Sequence, residues 1–546
     1  MTHAIASDAG RLATLRVHAA DNVRVALKDL PEGVEIEDDG RRIRLVEPIR
    51  HKHKFSLADL AEGDSVIMYG VTVGRATRPI AAGAAITTAN TEHSTATEKA
   101  ATRQKHWQAP DVSAFSGAKF DGYHRPDGQV GTANVWLVVP LVFCENRNIE
   151  VLRQSVADAL GEDPYRDYKR LARELLHGQA EEETTLPPRE RLFPNVDGVR
   201  FLTHTLGCGG TDDDTQALCQ LLAGYICHPN VAGATVLSLG CQKAQIELLQ
   251  QAVAERDPDG WRPVHYLEQQ ASHSEEALIR EALTTIFDGL RQANQVERSP
   301  APLSALNLGV ECGGSDGFSG LSANPLVGAV VDRLVALGGS GVLSEFPELC
   351  GVEHELLARC RDERVAERFR ILMEAYQQHA ARVGADFSMN PSPGNIRDGL
   401  ITDAMKSAGA AKKGGDSPVV DVLDYTEPLH HKGLNLLCTP GNDVESTTAL
   451  AGSGANLILF TTGLGTPTGN PVAPVLKIAS NSELANRMAD VIDYDAGPII
   501  RGEAQIEELA VELLQLCIDA ASGRYTPKAV GLAQYDFIPW KRGVSL

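Results

Sequence analysis

The chain has 546 residues, 43% of them hydrophobic and 23% charged, with a formal net charge of −21 at neutral pH. That length implies two or three domains, and the acidic balance excludes a general nucleic-acid binder, which needs a basic stripe to neutralise phosphates. No apolar run approaches the roughly 18 residues of a membrane span, and no basic-then-apolar leader opens the sequence, so a cytoplasmic protein with no membrane partner is expected.

From Arg11 to His93 the sequence reads as short strands (Leu15–Val17, Val23–Leu27, Ile43–Leu45, Phe55–Leu57, Ser65–Met68 and Thr72–Ala76) separated by Gly, Pro and Asp. This predicts a small all-β module over residues 11–93. Residues 94–115 carry Ser, Thr, Ala, Lys and Gln with almost no aliphatic side chains, and read as a linker. From about Asp121 strands alternate with longer amphipathic segments, the pattern of βαβ units and a mainly parallel sheet. The polar stretch Asn294–Pro302 divides this α/β region into a middle domain (116–300) and a C-terminal domain (301–546). Asn324 before Pro325 reads as a helix start.

Three apolar runs end at a cysteine set among glycine and polar residues. Val199–Leu206 leads to Gly207-Cys208-Gly209-Gly210, Ala232–Leu239 to Gly240-Cys241-Gln242, and Ala305–Val310 to Glu311-Cys312-Gly313-Gly314-Ser315-Asp316. In open α/β sheets, ligands bind outside the carboxyl ends of the strands. A thiolate near a helix start has a lowered pKa and suits iron, zinc or an iron–sulfur cluster. Three small residues packing under tight turns would give the same local pattern. With ten cysteines and no Cys-x-x-Cys pair, a disulfide scaffold is not expected, and Cys219, Cys227, Cys350, Cys360 and Cys517 read as small buried hydrophobes.

Other loops also carry polar groups. Asn390-Pro391-Ser392-Pro393-Gly394-Asn395 is too proline-rich for helix or strand and displays Asn390, Ser392 and Asn395. Thr461–Pro467, including Thr466, suits an anion-cradling nest but lacks the Gly-Lys-Ser/Thr of a Walker A loop. Glu345 with Glu348, and Thr439–Asp443, follow further strands. Arg397, Lys406, Lys412 and Lys413 are available to a carboxylate, although a solvated face is the ordinary fate of a lysine. His204 stands four positions before Cys208, and His18, His51 and His53 lie in the β module.

Taken in order, these motifs resemble the altronate and galactarate dehydratase family of sugar-acid hydro-lyases. The resemblance runs from Arg16–Val23 and His53-Lys54-Phe55 through Asp127–Thr132, the three cysteine loops, Asn324-Pro325, Asn390–Asn395, Thr466-Pro467 and Asn481–Ala485 to the closing Gly543-Val544-Ser545-Leu546. It implies an N-terminal SAF-like β-clip domain, a linker, a middle α/β domain associated with dimerisation and a Rossmann-like C-terminal domain, assembled as a homodimer or higher homo-oligomer. It also implies Fe²⁺, Mn²⁺ or another divalent metal; a lone Fe²⁺ is preferred here to an iron–sulfur cluster. With the family positions added, the metal ligands expected are His18, His53, Cys208, Cys241 and Cys312. His204 and then His53 are the expected catalytic bases, with Lys406 as a third catalytic group. Ser315, Asp316, Asn390, Ser392, Asn395 and Thr466 are expected to bind substrate.

The sequence departs from the family pattern at Ala133, Gln242 and Leu464, where the resemblance implies a basic residue, an acidic one and an arginine. A second carboxylate calls for additional cations, so their loss favours a monocarboxylic acid. The expected reaction is dehydration of D-altronate to 2-dehydro-3-deoxy-D-gluconate. Galactarate dehydration, sulfite loss from sulfolactate, and a non-catalytic sugar-acid sensor are the alternatives.

Overall fold

The computed structural model describes residues 4–7, 11–95, 107–161, 163–178 and 191–546. The N-terminal module is antiparallel throughout. Ala4–Ser7, Arg11–Leu15, Val23–Ala26 and Lys54–Ser56 form one sheet, with a hairpin at residues 35–44 and a three-stranded sheet at 65–92 beside it. Asp39-Gly40 and Tyr69-Gly70 turn the two hairpins with positive φ at both positions, the geometry that matches strand twist. Half of the stretch expected to be a linker, residues 96–106, lies outside the described residues. At its end Ser113–Phe115 form a single helical turn that buries Phe115.

The middle domain has four parallel strands: β1 (Val135–Pro140), β2 (Gly198–Phe201), β3 (Val231–Ser238) and β4 (Val264–Glu268), in the order β2-β1-β3-β4. Both central strands are buried along their whole length, so they read as continuous apolar runs rather than alternating ones. β2 stops at Phe201, short of the run to Leu206. The His204 ring turns the chain there by accepting the Leu206 N–H at Nδ1.

The C-terminal domain has seven parallel strands: β5 (Asn307–Cys312), β6 (Ser340–Leu343), β7 (Val419–Leu423), β8 (Gly433–Leu437), β9 (Leu457–Thr462), β10 (Val475–Ala479) and β11 (Tyr494–Asp495). Their order is β7-β8-β6-β5-β9-β10-β11. From β5 the chain moves first to β6 on one side and later to β9 on the other. β5 is therefore the topological switch point, beside which such sheets open a crevice. Three helices matter to the site: α1 (Ala323–Ala336), α2 (Asp403–Ala410) and α3 (Asp443–Gly452). Asn324 lies inside α1 rather than capping it. Its side chain is buried, donating to Gly409 O and accepting from the Thr461 hydroxyl.

No domain is packed alone. One apolar cluster joins Val66, Met68, Val73 and Ile80 of the module to Leu326, Val330, Leu356 and Met405 of the C-terminal domain. Another joins Leu137, Leu221 and Val231 of the middle domain to Leu437, Ile458 and Phe460. Gly224 meets the Gly452 carbonyl so closely that a Cβ would lie 2.1 Å from it. No helix among the described residues is long and apolar enough to cross a membrane.

Candidate active site

Cys312 is the last residue of β5, and it opens onto a buried group of ionisable side chains drawn from four segments. After β6 the chain turns through Glu345, whose φ of 65° is left-handed and whose N–H donates to the Thr439 hydroxyl. That strained turn, of a kind that persists where the surroundings over-determine it, carries Glu345 and Glu348 under β5. α2 supplies Lys406, and the short turn after it supplies Lys413. Gly328 of α1 lets that turn approach, since a Cβ there would lie 2.1 Å from Lys412 O.

The contacts are dense. The Cys312 thiol donates to Glu348 Oε2 at 3.2 Å and accepts from Lys413 Nζ at 2.9 Å. Lys413 also pairs with Glu345 Oε2, and Lys406 pairs with Glu348 Oε1 while donating to Asn390 Oδ1 at 2.7 Å. Glu311 accepts from the Ser344 and Ser446 hydroxyls. Glu311, Glu345, Glu348 and Cys312 are each 2% exposed or less. Asp443, at the first turn of α3, lies against Gly313, where a Cβ would sit 2.0 Å from its Oδ2.

Four carboxyls and a thiol thus face two ammonium groups. Burial, then the charge of Glu345, drives the Glu311 carboxyl well above its ordinary value; burial and then Glu348 do the same to Glu345 less strongly. Burial opposes ionisation of Glu348 too, but the Lys406 and Lys413 charges outweigh it and hold that carboxyl low. Burial, followed by Glu348, pushes the Cys312 thiol well up, so it is a neutral donor rather than the helix-activated thiolate the sequence suggested. Burial and the negative charges of Glu345 and Glu348 push Asp443 up to about 7. A half-buried acid with that value is suited to proton transfer near neutrality.

The module closes one side of this crevice. Lys52 Nζ reaches Asp316 Oδ2 at 3.0 Å, the buried Lys54 donates to Gly399 O at 2.7 Å, and His53 Nε2 donates to Arg397 O at 3.0 Å. That bond leaves Nδ1 as the unprotonated nitrogen of the neutral His53 ring. Burial lowers the His53 pKa. The loop from Gly313 to Gly317 therefore runs between Asp443 at one end and the Lys52–His53 segment at the other.

The expected site residues divide. Cys312, Lys406 and Asn390 meet at the crevice, His53 sits on Arg397 O at the module's edge, and Thr466 faces Gly314 with its hydroxyl. The Ser315 hydroxyl is buried there with no hydrogen-bond partner among the described residues. Asp316 does not present a free carboxylate: Oδ1 accepts from Phe318 N–H and the Ser319 and Ser480 hydroxyls, while Oδ2 meets Lys52 and Asn481. It locks the module to the sheet. Ser392 and Asn395 satisfy each other in a capping box, and Asn395 also holds Ser315 O.

The remaining expected residues lie elsewhere in the structure. His204 is a core residue of the middle domain, with Nε2 on Pro140 O at 2.7 Å, Nδ1 on Leu206 N–H, and burial pulling its pKa down to about 4. Cys208 and Cys241 are exposed on neighbouring middle-domain loops joined by Gly207 O and the Lys243 and Ala244 N–H groups. His18 is exposed on the module, where Nδ1 accepts the Ala20 N–H. The thiols do not converge within the chain. Among the described residues, the one group of three metal-competent side chains that includes Cys312 pairs it with Glu345 and Glu348, their ligand atoms within 4.8 Å of one another. A thiol with two carboxylates is a donor set that suits a divalent iron-type ion. These residues fit the implied metal; His18, His53, Cys208 and Cys241 are not among them.

The sequence marks the loops of Glu345, Glu348 and Asp443 as polar without singling those residues out, and it offers Lys413 only as one of four cations available to a carboxylate. The signal for Lys413 is its setting in Ala408–Ala411 and Gly414-Gly415, small residues that pack closely and leave no solvated face.

Three family models match in succession: an altronate/galactarate dehydratase SAF domain over residues 12–94, a D-galactarate dehydratase/altronate hydrolase second domain over 122–294, and a D-galactarate/altronate dehydratase C-terminal domain over 303–545. The chain is 36% identical to an altronate dehydratase of Escherichia coli (94% of this chain, 96% of the relative) and 34% identical to one of Bacillus subtilis (93% and 95%). It is 33% identical to the L-threo-forming galactarate dehydratase of E. coli, over 93% of both chains.

Proposed function

The chain belongs to the altronate/galactarate dehydratase family of hydro-lyases, and on that footing we propose that it dehydrates a 2,3-dihydroxy sugar acid, D-altronate to 2-dehydro-3-deoxy-D-gluconate. The observation that carries the mechanism is the buried Cys312–Glu345–Glu348–Lys406–Lys413 group, with Asp443 beside it, under a glycine loop at the switch point of a parallel sheet.

The difficulty of the reaction is the weak acidity of C2–H next to an ionised carboxylate. Lys406 and Lys413 hold fixed positive charge in a water-poor site, where it lowers the energy of the negative charge that develops as that proton leaves. Neutral His53 takes the C2 proton at Nδ1, and protonated Asp443 gives its proton to the departing C3 hydroxyl, so one water is lost and the enol ketonises. The opposite directions in which their surroundings push these two groups favour that division of labour. A divalent metal held by Cys312, Glu345 and Glu348 would add Lewis-acid polarisation of a substrate oxygen.

Leu464, 37% exposed, packs over Gly314 and Gly394 at the mouth of the crevice. Leucine where the family pattern has arginine removes one cation from the mouth and leaves the Arg397 guanidinium beside Gly394; one cation fewer for a second carboxylate supports an aldonate over an aldarate. A homo-oligomer is part of the same reading. The helix Arg166–His177 of the middle domain buries none of its residues and exposes Tyr168, Leu171, Leu175 and Leu176, a face that a second copy would cover.

The test is keto-acid formation by purified protein, loaded anaerobically with Fe²⁺ or Mn²⁺, on a panel of aldonates, aldarates and sulfolactate. Turnover greatest on altronate is expected. No turnover on any sugar acid refutes the reading, and sulfite release from sulfolactate replaces it with a sulfo-lyase.

A further inference from the structure

A second group of metal-competent side chains lies where the module meets the C-terminal domain. His93, just after the module's last strand, Cys350, at the end of the turn that carries Glu348, and Asp403, the first residue of α2, bring one ligand atom each to within 4.8 Å of the others. Asp403 is fully buried, and among the described residues neither of its carboxylate oxygens has a hydrogen-bond partner. A buried carboxyl in that state is destabilising unless a donor or a cation meets it. Its nearest helical cation, Lys406, is already committed to Glu348 and Asn390. His93 and Cys350 also line a surface cleft of about 620 Å³ with Asp386, Phe387 and Ser388, so an ion has a route in from solvent.

We propose that His93, Cys350 and Asp403 form a divalent-metal site of the zinc class, separate from the Cys312 group, that fastens the N-terminal module to the C-terminal domain. One imidazole nitrogen, one thiolate and one carboxylate are a zinc-type donor set, with a fourth position left to water from the cleft. The thiol proton is released on binding. The ion would tie together three segments already linked by the Lys406–Glu348 pair and by the Ala404 N–H on His93 Nδ1: the end of the module, the turn bearing Glu348 two residues before Cys350, and the helix bearing Lys406 three residues after Asp403. The site concerns module attachment and stands whether or not the chain dehydrates a sugar acid.

The test is made on the full-length protein, stripped with chelator and titrated with Zn²⁺ alone. In the unaltered protein, Zn²⁺ should slow iodoacetamide labelling of Cys350, read by peptide mass spectrometry, at least tenfold; an unchanged rate overturns the proposal. Bound zinc counted after dialysis should fall by one equivalent in His93→Ala and in Asp403→Asn, while Cys312→Ser keeps that equivalent. Loss of zinc only in Cys312→Ser, or equal zinc in every variant, would overturn it as well.

Discussion

Replacing Lys413 by methionine removes one of two cations from a pocket holding Glu311, Glu345, Glu348 and Cys312. Lys413 is 1% exposed, contacts the Cys312 sulfur at 2.9 Å and pairs with Glu345. Removing one partner of a buried ion pair leaves a charge that neither water nor protein compensates, at about 3–5 kcal/mol. For a unit the size of the C-terminal domain, each kcal/mol is worth roughly 2–4 °C, so the melting temperature should fall by about 6–20 °C. The loss is one of charge balance rather than volume, so Glu345→Gln in the same chain should restore a good part of it. Differential scanning calorimetry of wild type, the two single variants and the double variant gives the coupling directly. A Lys413→Met protein that melts within 2 °C of wild type, or a double variant no more stable than the sum of the singles, would refute the argument that this pocket is held by charge compensation. Keto-acid formation should be lost in Lys413→Met even at temperatures where it remains folded.

The Asp443 carboxyl, raised from 3.8 to about 7, favours the folded state fully below its unfolded value, and that contribution is lost as pH rises through about 7. Asp443→Asn should therefore flatten the fall in melting temperature between pH 5 and 8, and it should abolish the alkaline limb of kcat/KM; a limb that persists assigns the acid elsewhere. His53→Ala should lose most turnover with little change in melting temperature, because the ring's one described protein bond is to the partly exposed rim; full activity would remove the module from the chemistry. His204→Ala should cost about 1–3 kcal/mol, by leaving the Pro140 carbonyl and Leu206 N–H unpaired, yet leave the folded fraction active; an inactive but stable variant would restore His204 as a catalytic residue. Leu464→Arg should raise kcat/KM on galactarate relative to altronate, by roughly 10–150-fold if the new charged hydrogen bond is worth about 1.5–3 kcal/mol; an unchanged ratio would show that the mouth does not read the second carboxylate.

The strands were legible because periodicity is local. Val419–Leu423 falls where the apolar run predicts, and Ser65–Met68 likewise, since each needs only its own side chains to declare a buried pleat. The glycine loop after Cys312 was legible for a similar reason: a sharp turn after an apolar run is written in adjacent residues. What sequence spacing cannot carry is which strand end faces which. Cys208, Cys241 and Cys312 occupy equivalent local positions, but the first two crown the middle sheet and the third crowns the C-terminal one, so equal local chemistry leads to exposed thiols in one case and a buried one in the other. His204 looked like a base because a histidine near a strand end is one possibility the sequence permits; only the positions of Pro140 O and Leu206 N–H make it a satisfied core residue. Lys413 and Glu345, 68 residues apart, become partners because α1 and the strand order bring their backbones together. The sequence by itself determined the elements, the module and the family. Tertiary structure decided burial and charge pairing, because a side chain's pKa and its access to substrate depend on atoms distant in the chain that enter its surroundings only when the sheet closes.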